Sequence, residues 1–296
     1  MRRENNKIIL GILYMLAASA FIGGTAVVSK ILGKDYFGEP LSPFQISQSR
    51  FLYGFVFVLI FSLFYKIKIK SPNPKLHLAR TSLGWIGATI LFGSSSLIPV
   101  NDAVALNFSN PIFAMIFSII ILKEKYFPYR WMAMIITFIG ALILIRPVFS
   151  SLYIDPVALI SIFGAMCLGL EAIFIKLLTK YEKNTQILLI NNFIGLILSS
   201  LIVIFFWQTP TFLQLIFCIL IGFLMICGQT CFLMALRSNQ LNFVIPFFYS
   251  TLIFVLFYDY LIFRELPDYL SFSGSLLIMV GGIYLFLKEK SNTNFS

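Results

Sequence analysis

Long apolar segments follow one another along this chain and constrain its fold more than any other feature. Each is about 20 residues long, the length that an α-helix needs to cross the hydrocarbon core of a bilayer. The ten segments are 8–31, 43–65, 79–98, 101–122, 130–146, 156–178, 186–206, 212–236, 242–263 and 268–287. The strands of a membrane β-barrel are much shorter, roughly 10 residues with alternating polarity. The sequence therefore predicts an all-α integral membrane protein with ten transmembrane helices.

The distribution of basic residues predicts how these helices are oriented. With the N-terminus inside, 17 of the 22 lysines and arginines fall in inner segments and four in outer ones, while Arg50 lies within a span. Short cytoplasmic loops carry such an excess of Lys and Arg. The inner group includes the stretch from Lys66 to Arg80. We therefore predict an inner-membrane location with both termini in the cytoplasm, and cytoplasmic exposure of Ser71 and Asn292 but periplasmic exposure of Gly38 and Ser150.

An internal repeat divides the chain into two halves. When residues 101–144 are shifted by 141 positions, eight of the 44 pairs are identical, among them Asn101/Asn242, Glu124/Glu265 and Gly140/Gly281. Each half holds five spans, an odd number, so the second half enters the membrane from the opposite side. Inverted repeats of this kind are typical of secondary transporters, with substrate bound near the midplane. We predict two five-helix repeats, residues 1–147 and 148–296.

Several functional classes lack the residues that they need. The net charge of +10 is carried mostly by the short loops, so we expect no nucleic-acid partner. No phosphate-binding Gly-x-x-x-x-Gly-Lys-Ser/Thr loop is present, and the single histidine, His77, falls in a predicted loop. Cys227 and Cys231 share a helix face, but no histidine or carboxylate joins them there. We therefore expect no enzyme activity, no cofactor and no metal site.

Polar residues inside the predicted spans are the candidates for substrate contact, because ionisable side chains in a membrane are costly and usually face a cavity. The predicted substrate-binding residues are Arg50, Trp85, Asn107, Asn110, Glu171, Gln229 and Tyr249. Glu171 and Asp259 are predicted to couple transport to protons. Structural alternatives stay open: Arg50 could fix helix packing, Asp259 could lie at the membrane interface, and the amides could only join helices.

Three groups of residues carry a resemblance to a known family. They are Arg50-Phe51-Leu52, the block Pro111…Glu124…Arg130-Trp131…Phe138-x-Gly140, and Pro246-x-x-Tyr249…Phe263-x-Glu265-x-Pro267-Asp268. Over nearly its whole length the chain resembles the EamA branch of the drug/metabolite transporter superfamily, and most of all uptake carriers similar to bacterial S-adenosylmethionine transporters. The resemblance implies a ten-helix inner-membrane carrier in which helices 1, 3, 4, 6, 8 and 9 line a central cavity and helices 5 and 10 are peripheral.

These features together predict a secondary active transporter that moves a small polar metabolite, zwitterionic or anionic, by alternating access. Proton or counter-substrate coupling would drive it. Gly140 and Gly281, in the last span of each half, suit close helix packing or a homodimer face better than substrate contact. Two alternatives stay open: an exporter of the same fold, and a membrane-embedded enzyme or structural subunit.

Overall fold

Helices account for all the regular structure in the computed structural model, which describes residues 2–67, 69, 72–95, 97–148, 156–264 and 266–295. The α-helices are α1 (Arg2–Leu32), α2 (Pro43–Phe64), α3 (Pro74–Ser95), α4 (Val100–Asn107), α5 (Asn110–Ile120), α6 (Pro128–Ile145), α7 (Pro156–Tyr181), α8 (Asn184–Val203), α9 (Phe212–Ser238), α10 (Leu241–Val244), α11 (Ser250–Phe263) and α12 (Tyr269–Phe295). Short 3₁₀ helices cover Ile204–Phe206 and Ile245–Tyr249. The all-helical prediction is confirmed.

Nine spans in the described part of the chain are long and apolar enough to cross a membrane. They correspond to every predicted segment except the third. That segment lies in α3, whose first two turns contain Lys75, His77 and Arg80 and whose remainder is rich in Gly, Ser and Thr. The protein is thus a multi-pass membrane protein, while the count of ten spans stays a prediction.

The fourth and ninth predicted spans are interrupted helices rather than continuous ones. The fourth divides into α4 and α5 on either side of Phe108 and Ser109, and Pro111 opens α5 without a backbone N–H. The ninth divides into α10, a 3₁₀ turn that contains Pro246, and α11. Interrupted helices at corresponding positions of two repeats expose backbone groups in the interior, the arrangement from which many transporters build their binding sites.

The two interruptions meet in the hydrophobic core. Tyr249 donates a hydrogen bond from its hydroxyl to the carbonyl oxygen of Phe108 at 2.7 Å, and the two rings stack with centroids 6.2 Å apart. Phe108 and Tyr249 are one repeat length, 141 positions, apart in the sequence. Equivalent residues of the two repeats therefore touch each other. The packing of α1 on α9 and of α7 on α3 follows the same internal symmetry.

The glycines predicted to favour close packing do so within one chain. A Cβ atom on Gly140 would lie 2.7 Å from the carbonyl oxygen of Gly274, and one on Gly281 would lie 2.6 Å from the side chain of Thr137. These contacts join α6 and α12, the last helices of the two halves. The close approach of backbones explains why neither position holds a larger residue.

Cysteine labelling tests the predicted orientation. The outer probe is better placed at Asp35 than at Gly38, because Gly38 has a φ of 136° that strains any other residue. Asp35 is exposed in the loop after α1, and Asn292 is exposed near the chain's other end. We expect a membrane-impermeant maleimide to label Asp35→Cys but not Asn292→Cys in intact cells. Labelling of both would contradict an odd number of intervening spans. Ser71 and Ser150 lie outside the described residues.

Candidate functional site

A polar pocket lies between α2, α3 and α8 and holds two of the predicted site residues, Arg50 and Trp85. Ser47, Thr89 and Ser199 complete its polar lining. The cavity measures about 10 Å³, which is room for about one water molecule. The guanidinium carbon of Arg50 lies 4.4 Å from the centre of the Phe51 ring, and its Nε is buried with no hydrogen-bond partner. The pocket therefore holds a guanidinium group with one unsatisfied N–H beside a very small cavity.

Glu171 links this pocket to a second arginine. Its Oε1 lies 3.9 Å from Nε of Arg80, and its charge attracts both Arg80 and Arg50. Arg80 is almost fully buried, whereas the carboxylate-bearing side chain of Glu171 is 22% exposed. We call Arg50, Arg80 and Glu171 the arginine–glutamate cluster. With all three groups ionised, its formal charge is +1.

A glycine on α3 makes room for the carboxylate. A Cβ atom on Gly84 would lie 2.6 Å from Cδ and from Oε2 of Glu171, so the carboxylate lies directly against the α3 backbone. Gly87 lies one turn further along α3. A Cβ atom there would lie 2.6 Å from Cγ of Leu168 and 2.9 Å from the carbonyl oxygen of Gly164. Gly87 thus lets α3 and α7 pack closely, while Gly84 leaves room for the carboxylate. Their position fixes Glu171 beside Arg80.

The sequence counts Arg80 with the basic inner segment that begins at Lys66, and the side of the membrane on which it lies stays a prediction. The structure places Arg80 within α3, 1% exposed, with Nε and Nη1 both lacking a hydrogen-bond partner. An unsatisfied buried donor costs about 1–3 kcal/mol, and more for a charged group. The signal that could have identified it was Pro74, a good first residue for a helix, which puts Arg80 nearly two turns inside. The neighbouring lysines concealed this signal.

Asn107, Asn110 and Tyr249 lie together at the interruption of the fourth span. Asn110 donates a hydrogen bond from Nδ2 to the carbonyl oxygen of Asn107 at 2.8 Å, which satisfies one acceptor released by the break. Tyr249 is completely buried, and its hydroxyl satisfies another. On α7, a Cβ atom on Gly169 would lie 3.2 Å from the carbonyl oxygen of Asn110. Because Gly169 is two residues before Glu171, α7 connects the interruption to the arginine–glutamate cluster.

The remaining predicted residues, Gln229 and Asp259, lie on α9 and α11. Oε1 of Gln229 is buried without a hydrogen-bond donor. Asp259 accepts a hydrogen bond from Nζ of Lys30 at 3.1 Å, and this ion pair joins α1 to α11. Asp259 therefore has a cationic partner on the other half of the molecule. Its assignment to coupling stays a prediction, as do the roles of the other site residues.

Glu124 performs a structural task that joins the two halves. Its two carboxylate oxygens accept hydrogen bonds from the backbone N–H groups of Leu241 and Asn242, at 2.7 and 2.9 Å. These groups open α10, so a residue of the first half caps a helix of the second half. The repeat equivalent, Glu265, lies outside the described residues.

Arg130 shows how a buried arginine of this protein is satisfied when its role is structural. Nε and Nη2 donate to the two oxygens of Glu289, at 3.0 and 2.6 Å. Nη1 donates to Gln240 and to Asn242. The side chain thereby joins α6 to α12 and to the start of α10. All three of its nitrogens have acceptors, whereas Nε and Nη1 of Arg80 have none.

A surface ion pair joins the opposite ends of α6 and α12. Arg146, which follows α6, donates to Asp268, which precedes α12, and Asp268 also accepts hydrogen bonds from Ser271. The Arg146 bond, followed by those from Ser271, lowers the pKa of Asp268 to about 2 from its usual 3.8. A depressed pKa favours the folded protein above the ordinary pKa, so this contribution is lost only as the pH falls from about 4 towards 2.

The described residues form no candidate metal site, and a larger cavity elsewhere in the protein is almost entirely apolar. Among the residues that the structure describes, no group of three His, Cys, Asp or Glu side chains could hold a metal ion. A larger cavity of about 560 Å³ lies between α1, α11 and α12, and Ser250 is its sole polar lining residue. An apolar cavity of this kind offers nothing to recognise a charged metabolite.

Known proteins resemble this chain in sequence and in fold. The profile of the EamA-like transporter family matches twice, at residues 9–146 and 156–287. An S-adenosylmethionine uptake transporter of Rickettsia bellii (strain RML369-C) is 26% identical over 214 residues, 72% of this chain and 71% of the relative. A riboflavin transporter of Rhizobium johnstonii is 25% identical over 187 residues, 62% and 60% of the two chains. One crystal structure matches with a TM-score of 0.79 at 12% identity, covering 97% of this chain and 98% of the other.

Proposed function

The chain belongs to the EamA-like transporter family, and from this premise we propose that it is a secondary active carrier for a small zwitterionic or anionic metabolite. It is a membrane transporter and not an enzyme. The repeats, residues 1–147 and 148–296, would alternate access to a site between them. The inner membrane is the proposed location, with both termini in the cytoplasm.

The arginine–glutamate cluster is the observation that carries this proposal. Charged side chains inside a membrane protein are expensive to bury, so they are retained where they bind ions or substrates. Here two arginines and one glutamate lie between α2 and α3 of the first half and α7 of the second. A substrate bound at the cluster would contact both halves, which is what alternating access requires.

The interrupted helices supply neutral recognition groups to the same interior. Asn107 and Asn110 line the break in the fourth span, and Gln229 holds a buried acceptor without a donor. An ammonium, hydroxyl or amine N–H group of the substrate would satisfy such an acceptor. We propose that these amides orient the substrate, while Arg50 and Glu171 recognise its charges and Trp85 packs against it.

The relatives supply the first substrates to test. One group of relatives comprises S-adenosylmethionine uptake transporters and another comprises riboflavin transporters. S-adenosylmethionine carries a carboxylate and cationic groups, so it matches a cluster with both charges, whereas riboflavin is neutral. We propose S-adenosylmethionine, which has a zwitterionic amino-acid group and an additional sulfonium cation, or another metabolite with a zwitterionic amino-acid group, as the substrate. Export rather than uptake is the second candidate, since the same site would serve either direction.

Counterflow in proteoliposomes tests the carrier proposal. Vesicles loaded with unlabelled S-adenosylmethionine should accumulate the labelled compound transiently, several-fold above vesicles without internal substrate. A carrier produces this overshoot because internal substrate returns the site to the outside. Riboflavin serves as the parallel probe, and protein-free vesicles as the control. Equal uptake with and without internal substrate, for both probes and for a wider metabolite panel, would argue against carrier activity.

A further inference from the structure

We propose that Arg80 is a substrate-binding residue and that, together with Arg50, it recognises a carboxylate group of the substrate. The inference rests on the proposed function, because it names the chemical group for which the arginine–glutamate cluster is built. Arg80 is not among the substrate-binding residues predicted from the sequence. The evidence for its role is the geometry of its side chain in the structure.

Two buried arginines of this protein differ in how their nitrogens are satisfied. Arg130 is 4% exposed and all three of its nitrogens donate to acceptors on neighbouring helices. Arg80 is 1% exposed, yet its Nε and Nη1 have no acceptor, and its nearest carboxylate oxygen is 3.9 Å away. A distance of 3.9 Å is too long for a hydrogen bond. An arginine retained only for packing would resemble Arg130.

The arginine–glutamate cluster has one more positive than negative group. Arg50 also holds a buried Nε without a partner, and Glu171 is the carboxylate that attracts both arginines. Within the cluster itself, two guanidinium groups and one carboxylate leave an excess of one positive charge; the neighbouring His77, which interacts with Arg80, is paired with Glu182 at 2.8 Å. A bound carboxylate would neutralise this excess, whereas a phosphate dianion would leave a negative charge beside Glu171. The charge balance therefore favours a carboxylate.

The planar donor group of Arg80 also fits a carboxylate in shape. A guanidinium presents parallel N–H donors in a plane, and a carboxylate accepts two of them at once. Gly84 lies four residues after Arg80 on α3, where its missing side chain leaves the Glu171 carboxylate against the backbone. A carboxylate of the substrate that takes the unused donors of Arg80 would thus lie beside Glu171, with Arg50 as its second cation.

The test compares ligands that differ only in a carboxylate. Thermal shift of the purified full-length protein is measured with S-adenosylmethionine and its decarboxylated form, and with methionine and its decarboxylated amine. We expect the carboxylate member of at least one pair to bind wild-type protein about tenfold more tightly. The proposal would be overturned if both members of each pair stabilised the protein equally, or if no ligand stabilised it. Counterflow of a ligand that lacks a carboxylate would leave the carrier function intact and refute only this inference.

Variants of Arg80 separate recognition from folding. Arg80→Gln should reduce affinity for the carboxylate member about tenfold and leave the decarboxylated member unaffected, while Arg80→Lys should fall between because it keeps the charge but loses the fork. If Arg80→Gln does not fold, the double variant Arg80→Gln/Glu171→Gln removes the unpaired charge and should likewise lose discrimination. The control is Arg237→Gln. Arg237 lies in the last turn of α9 and donates to Oδ1 of Asn184 and to the backbone carbonyl oxygen of Glu182. Unchanged discrimination in the folded Arg80 variants would refute the role.

Discussion

Replacing Glu171 by glutamine is expected to abolish uptake driven by a pH gradient and to leave exchange of substrate across the membrane intact. Glutamine nearly preserves the shape and hydrogen bonding of glutamate but cannot take up or release a proton. Glu171 interacts electrostatically with both arginines, and its side chain is 22% exposed. A proton on its carboxylate would raise the formal charge of the cluster from +1 to +2. Proton binding and binding of an anionic group would then favour each other.

The size of this coupling follows from electrostatics. Two unit charges about 7 Å apart interact by about 2 kcal/mol at an effective dielectric constant near 20, which corresponds to a change in affinity of more than tenfold. Glu171→Gln permanently resembles the protonated form, so it should bind a carboxylate-bearing substrate at least as tightly as the wild type does. Gradient-driven uptake should fall to the level of protein-free vesicles.

Two measurements decide the role of Glu171. Uptake under an imposed pH gradient is compared with exchange at equal pH on both sides, in the wild type, in Glu171→Gln and in the control Glu39→Gln. Glu39 lies exposed in the loop before α2, where its backbone carbonyl accepts from Gln214. Gradient-driven uptake at the wild-type rate in Glu171→Gln would contradict the coupling role. Loss of both activities together with a lower unfolding temperature would assign Glu171 to packing.

Much of the fold could be predicted because it depends on local composition. A run of about 20 apolar residues has few alternatives to a membrane-spanning helix, since the backbone must satisfy its hydrogen bonds internally. The repeat survives in Asn101/Asn242 and Gly140/Gly281. The interruptions at Phe108 and at Ile245–Tyr249 were harder to predict, because a proline in a membrane helix is compatible with a kink, a break or neither.

The site was only partly predictable because it depends on contacts between distant segments. Arg50 and Glu171 stood out as charges within apolar runs. Arg80 did not, since its neighbours Lys66, Lys68, Lys70 and Lys75 made it look like part of a basic loop. Its burial depends on the close packing of α3 against α7, which Gly87 permits. The capping of α10 by Glu124 likewise joins residues 117 positions apart.

Replacing Gly84, Gly87 or Gly93 of α3 by alanine distinguishes effects on the arginine–glutamate cluster from effects on helix packing. A Cβ atom on Gly87 would lie 2.6 Å from Cγ of Leu168 and 2.9 Å from the carbonyl oxygen of Gly164. Because backbone cannot move aside easily, Gly87→Ala should separate α3 from α7 and destabilise the protein by about 1–3 kcal/mol. A Cβ atom on Gly93 would meet no atom within 4 Å. Gly93→Ala should therefore be neutral or stabilising by up to about 1 kcal/mol.

Gly84→Ala should act on transport instead of stability. The atoms that its methyl group would meet belong to the carboxylate of Glu171, the far end of a flexible side chain, so the carboxylate moves while the helices stay packed. Displacing the carboxylate from Arg80 changes the charge arrangement of the cluster without changing any charge. We expect gradient-driven uptake to fall at least tenfold, with an unfolding temperature close to that of Gly93→Ala. If Gly84→Ala transports like Gly93→Ala, the position of the Glu171 carboxylate does not matter for transport. If it unfolds like Gly87→Ala, Gly84 belongs to the scaffold.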